Sequence, residues 1–394
     1  MRVLFVANTF PSPDKLNTGA FNLRGVQNLL KAGVDVKVVH FRSWSPKKKV
    51  ISHYPIDGVE VTAIALPYFV GLSPRLLSAN LWLYRKMFDG IFKKYFLKNT
   101  DIIHSVGVGH AGIICGFIAR KYGIPHVAQC IGSDVNIILP QIAKFAGVKG
   151  WNKGVDIFVG NSKELRDHIH KLYPSSRAEV IYRGVNLHEF HPVQEPKNGQ
   201  KNYITVTYLG GLSPKETKPF GMDQKGGITL LKAWEKFKQD NPASNASLQF
   251  CGPNVNSGII ASILQKDPSS IQVNVVGPMD RKKVASLLQQ SQIVVLPSMF
   301  EGLPNVAMEA AASGAALVGT KVGGIPEVIM EGRNGYLIDR KDADQIADKL
   351  SQLINDQNIL SSFQKESRRF MEERFDSRQF AEGYINIYKE LTRK

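Results

Sequence analysis

Two glutamates around a predicted helix start give the sequence its clearest chemical signal. Glu301 lies in the turn Glu301–Pro304, and Glu309 lies inside the helix predicted to begin near Pro304 and to close at Gly314. Proline at the start and glycine after the end of a helix support these limits. The amides and positive end of such a helix suit a diphosphate, and carboxylates accept hydrogen bonds from hydroxyl groups. The pattern indicates a site for a phosphorylated sugar, although an isolated pair of glutamates would more simply stabilise the helix dipole.

The length and the periodicity of the chain predict two α/β domains. The 394 residues, 43% of them hydrophobic, exceed what one core usually serves. Short β-branched runs alternate with helix-period segments in both halves, which predicts doubly wound, mostly parallel sheets facing a central cleft. The polar stretch 193–202 is the predicted linker. We therefore predict domains at residues 1–192 and 193–376, with a C-terminal helix at 377–394 that packs back on the first domain.

The predicted strands share β-branched or aromatic character and short length. They are Val3–Ala7, Val34–His40, Val59–Leu66, Ile102–Val106, His126–Cys130, Ile157–Gly160, Glu179–Tyr182, Thr205–Leu209, Leu248–Cys251, Gln272–Val276, Ile293–Leu296 and Ala316–Gly319.

Charge is distributed unevenly along the chain. The net charge is +16, and residues 1–192 hold 25 Lys and Arg but only 12 Asp and Glu. A lipid surface, a nucleic acid or an acidic glycan would each suit such a half. No helix-turn-helix, RRM or finger pattern accompanies the charge, so no nucleic acid is expected as a partner. Cys115, Cys130 and Cys251 lack metal-ligand spacing and are predicted to be buried structural thiols.

Targeting signals are not visible in the sequence. The chain begins with a strand-like run, and its longest apolar stretches fall short of the roughly 20 residues that a membrane span needs. We therefore expect a cytoplasmic protein, with the inner face of the cell membrane as a further possibility. That possibility rests on residues 81–98, where Leu81, Tyr84, Phe88, Ile91 and Tyr95 recur at helical spacing among basic residues. A crossover helix that packs on the sheet is the competing interpretation.

The region Leu296–Ile338 joins the glutamate pair, a helix of small residues and the turns 322–327 and 332–335 in order. This combination resembles the retaining glycosyltransferases of family 4, which have the GT-B fold of two Rossmann-like domains and use nucleotide-sugar donors without a metal. Weaker parts of the resemblance are Asn17–Gly19, Asp101–His104, Gly132–Asp134, Asn161–Ser162 and Gly184–Asn186.

The resemblance implies roles for several residues on the donor side. Glu309 would accept hydrogen bonds from the ribose of the nucleotide, and Glu301 would contact hydroxyls of the transferred sugar. Lys225 would neutralise the leaving phosphate as negative charge develops on it. Without the surrounding match, Lys225 would be taken for a solvated surface group. The remaining implied donor contacts are the amides near Leu303, the amides of Asn305 and Val306 at the diphosphate, Gly19 from the other domain, and Met279 near the base.

The acceptor side is less well defined. Gly132 and Asp134 are acceptor-side candidates by the same resemblance, although Asp134 is equally interpreted as a turn or helix-capping residue. Where the family usually has histidine, this chain has Ile131. This departure favours a front-face mechanism in which the departing phosphate receives the acceptor proton.

A second departure from the family pattern removes a positive charge. Gly211 stands where the family usually has arginine, and Lys215 or Lys218 would replace that charge or remain exposed loop lysines.

The resulting expectation is a retaining hexosyltransferase, independent of metal and cofactor, that moves a sugar from a UDP- or GDP-sugar to a glycan or lipid-linked acceptor. Polysaccharide or glycolipid synthesis at the cell surface is the expected context. A nucleotide-sugar epimerase, a phosphorylase with pyridoxal phosphate and a non-enzymatic nucleic-acid-binding protein are the alternatives. A dehydrogenase is disfavoured because the run Val106–Gly109 is not a GxGxxG fingerprint.

Overall fold

The computed structural model describes residues 1–16, 18–43, 49–66, 74–132, 134–142, 149–193, 203–215 and 220–393. The chain forms two compact units, residues 1–183 with 378–394, and residues 184–377. Each unit is a layered α/β structure built on a largely parallel sheet, as the sequence predicts.

The first unit contains an eight-stranded sheet in the order β3-β4-β2-β1-β5-β6-β7-β8. Only the β3–β4 pair is antiparallel, and central β1 pairs Val3 with Val36 on one side and Ile102 on the other. The strands are β1 Arg2–Ala7, β2 Asp35–Ser43, β3 Ile51–Ile56, β4 Val59–Leu66, β5 Ile102–Val106, β6 His126–Cys130, β7 Ile157–Gly160 and β8 Ala178–Val180. The α-helices that precede the second unit are α1 Ala20–Lys31, α2 Pro74–Tyr95, α3 His110–Tyr122, α4 Leu139–Ile142 and α5 Lys163–Leu172.

The second unit contains a fully parallel six-stranded sheet in the order β11-β10-β9-β12-β13-β14. Its strands are β9 Ile204–Tyr208, β10 Ala246–Cys251, β11 Val273–Gly277, β12 Ile293–Leu296, β13 Ala316–Thr320 and β14 Gly335–Ile338. The α-helices are α6 Gly227–Asp240, α7 Ser257–Leu264, α8 Arg281–Gln289, α9 Asn305–Ala312, α10 Ile325–Val328, α11 Ala343–Asn355 and α12 Gln357–Arg374. Because the strands are parallel, the loops after them share the carboxyl edge of the sheet, where ligands bind in such folds.

The boundary between the units differs from the predicted one at residue 192. Residues 184–192 belong with the second unit because the end of α12 holds them. The amide of Val185 donates to the carbonyl of Phe375 at 2.7 Å, and the Arg368 guanidinium donates to the carbonyl of Phe190 at 2.8 Å. The polar stretch after residue 193, predicted as the linker, lies outside the described residues.

The last helix, α13 Ser377–Thr392, completes the core of the first unit. Its apolar face packs against the strands of the sheet, including Val3 and Val127. The buried residues that it contributes are Phe380, Ala381, Tyr384, Ile387, Tyr388 and Leu391. Tyr388 also lies 2.5 Å from Nδ1 of the buried His104, whose other ring nitrogen contacts Gln129. His104 is thus satisfied within the fold, and burial lowers its pKa to about 3.

Helix α2 packs its apolar face into the core of the first unit. Phe88, Phe92 and Phe96 are buried in one cluster with the sheet, which is the packing expected of a crossover helix. Tyr95, predicted on the apolar face, is instead 51% exposed because the buried stripe follows Phe88 at intervals of four residues. The side chains predicted at Leu81 and Tyr84 lie outside the described residues.

Other expectations from composition can be compared with the structure. Cys115, Cys130 and Cys251 are free and buried, as predicted. Burial raises the pKa of each thiol. In the part of the chain that the structure describes, no helix combines the length and the apolar character required to cross a membrane.

Candidate active site

The loop after β12 brings a lysine and a glutamate together at the carboxyl edge of the second sheet. Nζ of Lys225 donates to Oε1 of Glu301 at 2.7 Å, and the hydroxyl of Ser298 donates to the same oxygen at 2.8 Å. The side chain of Glu301 is 14% exposed, whereas that of Lys225 is 39% exposed. One oxygen of Glu301 thus receives two hydrogen bonds, and the ammonium group of Lys225 stays accessible to a ligand.

Glycine explains how Lys225 reaches this position. Gly226 has φ +74°, and a Cβ there would lie 1.9 Å from the carbonyl oxygen of Pro297. The backbone next to Lys225 therefore packs directly on the chain that leaves β12, which no other residue type would permit. On the other side, Asp223 accepts the amide of Ile228 at 2.7 Å in the first turn of α6. Glycine at position 226 is thus required for the approach of the two segments.

The turn before α9 is supported by a second turn after β13. A Cβ on Gly323 would lie 2.2 Å from the carbonyl oxygen of Glu301, and the amide of Gly324 donates to the carbonyl of Gly302. Leu303 is buried beneath this contact. The Gly-Gly motif at 323–324 therefore fixes the turn that carries Glu301.

Helix α9 begins at Asn305, directly after this turn. The first four amides of a helix have no intrahelical partner and give that end a positive potential. Asn305 and Val306, both half-buried, supply the first two of these amides. Their position next to Lys225 and Glu301 suits the predicted diphosphate.

Glu309 lies in α9 with its side chain only 10% exposed, and its partner is a residue that the sequence did not reveal. Arg281 is the first residue of α8 and donates to Oε1 of Glu309 at 3.0 Å. Its guanidinium also contacts both carboxylate oxygens of Glu189, and the distance from Nε to Oε1 is 2.7 Å. Its guanidinium also lies 5.0 Å from the ring centre of Phe190. Burial by itself would lower the pKa of Arg281, but the hydrogen bonds and charges of the two glutamates raise it. The only local signal was an arginine after the Asp280 helix cap, which any surface helix could carry.

Arg281 is therefore a positioning residue for Glu309. We expect Arg281→Ala to weaken UDP or GDP binding by about 10-fold, because Glu309 would lose a charged donor that holds its carboxylate. Titration of each nucleotide by calorimetry measures this change. Glu189→Gln is the matched control, since it weakens the other half of the network and leaves the Arg281–Glu309 contact. Equal losses in both variants would show that the network supports only the fold.

Gly211, where the resemblance predicts arginine, is confined to glycine. Its φ is +64°, and a Cβ would lie 2.4 Å from the carbonyl oxygen of Pro253 and 2.6 Å from its nitrogen. The hydroxyl of Tyr208 donates to the Gly211 carbonyl at 2.8 Å. The chain after β9 thus packs backbone to backbone on the chain after β10. Lys215 is exposed, and Lys218 lies outside the described residues.

The other predicted donor residues lie in different places. Met279 is half-buried just after β11, at the same edge of the second sheet. Gly19 belongs to the first unit, where it precedes α1 with φ +72° and packs against the carbonyl of Thr9. Its approach to a diphosphate stays a prediction.

The acceptor-side candidates lie in the first unit after β6. Asp134 is buried and accepts the amides of Val108 at 3.0 Å, Ile131 at 3.1 Å and Gly132 at 2.7 Å. Burial raises its pKa, although these hydrogen bonds act in the opposite direction. Hydrogen bonds of this kind are made by a residue that fixes a turn. The turn interpretation of Asp134, which the sequence left open, therefore agrees with the structure. Contact between either candidate and an acceptor stays a prediction.

Two α/β units, each built on a largely parallel sheet, are the architecture of sugar-transferring enzymes of the GT-B class. Residues 19–189 match the family described as Glycosyltransferase Family 4, and residues 222–370 match Glycosyl transferases group 1. A D-inositol 3-phosphate glycosyltransferase of Corynebacterium diphtheriae is 30% identical over 90% of this chain and 87% of its own length. The chain belongs to glycosyltransferase family 4.

Other relatives agree with this assignment. The putative teichuronic acid biosynthesis glycosyltransferase TuaC of Bacillus subtilis is 24% identical over 100% of this chain and 99% of its own. Among solved structures, sucrose-phosphate synthase from Thermosynechococcus elongatus has a TM-score of 0.73 at 18% identity, with 99% of both chains covered. A trehalose-6-phosphate synthase structure has a TM-score of 0.69 at 15% identity, again over 99% of both chains. These structural likenesses show the GT-B fold.

Proposed function

We propose that the protein is a retaining glycosyltransferase that moves a hexose from a UDP- or GDP-sugar to a glycan or lipid-linked acceptor. The observation that carries this proposal is the Lys225–Glu301 pair beside the first turn of α9. In that turn, backbone amides face outward along the helix axis, as a diphosphate requires. The Escherichia coli trehalose-6-phosphate protein bound with UDP-2-fluoro glucose has a TM-score of 0.70 to this chain, which supports a nucleotide-sugar donor.

Each side chain has a defined part in the proposed reaction. Departure of the nucleoside diphosphate places negative charge on its terminal phosphate, and the ammonium group of Lys225 neutralises that charge. The amides of Asn305 and Val306 bind the diphosphate, while Glu301 and Glu309 accept hydrogen bonds from sugar and ribose hydroxyls. The oxocarbenium-like sugar is then attacked from the face that the phosphate leaves, so the configuration is retained. Because Ile131 supplies no base, the departing phosphate takes the acceptor proton.

Metal independence and the cellular context are parts of the same proposal. Among the described residues, no three His, Cys, Asp or Glu side chains are grouped to hold a metal ion. Whether the reaction needs a metal is decided by assay. The teichuronic acid relative supports a role in cell-surface polysaccharide or glycolipid synthesis, which would place the enzyme at the cytoplasmic face of the membrane.

The test is release of nucleotide from a panel of UDP- and GDP-sugars, with membrane lipid extract as acceptor and EDTA present. Release from one donor that persists in EDTA and disappears in Glu301→Ala would support the proposal and identify the donor. NMR of the glycoside product then reports its anomeric configuration. An inverted product, loss of activity in EDTA that added metal restores, or equal activity of Glu301→Ala would contradict the corresponding part of the mechanism.

Membrane association is expected to be electrostatic. The buried phenylalanines of α2 are committed to the core, but Arg85, Lys86, Lys93 and Lys94 are exposed along the same helix. Each basic residue near an anionic surface contributes about 1 kcal/mol. We therefore expect the protein to float with vesicles that contain phosphatidylserine at low salt and to be released at 0.5 M salt, roughly three times physiological ionic strength. Replacing Lys93 and Lys94 by Gln should weaken binding. Flotation with neutral vesicles to the same extent would refute this mode of binding.

A further inference from the structure

Arg183 is a charged side chain of the first unit for which the proposed reaction has no role. It follows β8 at the carboxyl edge of the sheet, and its guanidinium lies 4.1 Å from the ring centre of Phe21 in α1. Its Nε is buried and has no hydrogen-bond partner among the residues that the structure describes. The residue as a whole is only partly buried, so a ligand from solvent can reach it.

The charges around Arg183 do not neutralise it. The positive charge of Arg24 lowers the pKa of Arg183, and the carboxylate of Asp134 raises it. That carboxylate already accepts backbone amides from Val108, Ile131 and Gly132. The hydroxyl of Tyr384, which also acts on Arg183, is buried without a hydrogen-bond partner in the described part of the chain. Two buried polar groups here, Nε of Arg183 and the hydroxyl of Tyr384, thus lack a hydrogen-bond partner among the described residues.

Other arginines of the first unit have carboxylate partners for their guanidinium groups. Arg177, just before β8, pairs with Glu179 and Glu390, and Arg42 places one nitrogen 2.8 Å from both oxygens of Asp14. Burial lowers the pKa of Arg183 to about 10, so it remains charged at neutral pH. Keeping a desolvated charge without a carboxylate partner costs folding free energy. A ligand that supplies the missing negative charge would recover that cost.

We propose that Arg183 binds an oxyanion, a phosphate or a carboxylate, carried by the acceptor substrate. Planar guanidinium groups bind such oxygens with paired, directional hydrogen bonds. The carboxyl edge of the first sheet is where a doubly wound unit binds its ligand. The identification of this ligand as the acceptor rests on the proposed transfer reaction. Binding of the anion can be measured without any transfer. The anionic group has two possible sources, a free phosphorylated sugar or a lipid-linked phosphate.

The first experiment uses inorganic phosphate as the probe, with chloride at matched ionic strength as the reference. A ligand that binds only the folded state raises the melting temperature. We expect phosphate to raise it in the wild type and in Arg340→Gln, an exposed-arginine control in the second unit. Arg183→Met should fold, because it removes an unpaired charge, and should show a smaller phosphate-dependent rise than the wild type, since phosphate can still bind beside Lys225 at the start of α9. A rise of equal size in Arg183→Met, or none in the wild type, would overturn the proposal.

The second experiment identifies the source of the anion by direct binding. The wild type, Arg183→Met and Arg183→Lys are titrated with hexose 6-phosphates, with the parent hexoses, and with vesicles that contain polyprenyl phosphate. We expect one anionic probe to bind about 10- to 100-fold more weakly to Arg183→Met, with partial recovery in Arg183→Lys. Whichever probe behaves in this way gives the source. If Arg183→Met binds both anionic probes as the wild type does, the acceptor assignment is wrong, whatever the transfer assay shows.

Discussion

Lys225→Ala is expected to lower kcat by about 10²- to 10³-fold while changing the KM for the donor much less. Lys225 already lies 2.7 Å from Glu301, beside the amides at the start of α9, so its charge is in place before the leaving group develops its own. A charge positioned in this way stabilises the transition state more than the bound donor. Steady-state kinetics of nucleotide release, once the donor is known, measures both parameters.

Two further variants separate charge from packing at this position. Lys225→Arg keeps the positive charge and should retain more activity than Lys225→Ala. Lys282→Ala removes an exposed lysine from the neighbouring helix α8 and should behave as the wild type. If Lys225→Ala raised KM in proportion to any loss of kcat/KM and left kcat unchanged, Lys225 would contribute binding alone and its proposed role at the leaving phosphate would be refuted.

Gly211→Arg, which installs the residue common in the family, is expected to destabilise the second unit instead of improving catalysis. The left-handed backbone at Gly211 costs a non-glycine residue about 1–2 kcal/mol. The contact of a Cβ with the backbone of Pro253 adds to this, because backbone atoms cannot turn aside as the end of a flexible side chain can. We expect the free energy of unfolding to fall by at least about 3 kcal/mol, which lowers the melting temperature by roughly 10 °C.

Alanine substitutions isolate the steric part of this effect. Gly332 also has a positive φ, +69°, but nothing lies within 4 Å of the position of its Cβ. Gly332→Ala should therefore show the backbone cost only, and Gly211→Ala should show that cost plus the clash. Thermal unfolding of both variants gives the difference. Similar stabilities would mean that the segments after β9 and β10 can separate, and that the arginine was lost for another reason.

Much of the fold could be predicted because its signals are local. Strands β4, β5, β6, β7 and β12 have the predicted limits, since buried parallel strands are short apolar runs bounded by turn residues. Strand β3 was missed because Ile51–Ile56 contains Ser52, His53 and Pro55, and proline is tolerated there only because the strand lies at the sheet edge. Strand β14 was missed because its four residues follow directly on the turn at Gly332.

The candidate site was predictable only in part. Glu301, Glu309 and Lys225 were predicted by resemblance, and the structure brings Lys225 and Glu301 into contact at the carboxyl edge of the sheet. Arg281 was not found because its partners lie 28 and 92 positions away in the sequence, and long-range ion pairs leave no local pattern. Arg183 was not found for a different reason. Its distinctive property is a buried Nε without a hydrogen-bond partner in the part of the chain that the structure describes, and only the three-dimensional surroundings reveal that.

The placement of α13 affects the order in which the protein can fold during synthesis. The second unit, residues 184–377, is continuous in sequence, whereas the first unit needs residues 378–394 in addition to 1–183. A ribosome therefore finishes the whole second unit before it supplies the helix that covers Val3 and Val127. The half of the protein that is made first is thus completed last, and until then its sheet exposes the apolar surface that Tyr384 and Tyr388 later bury.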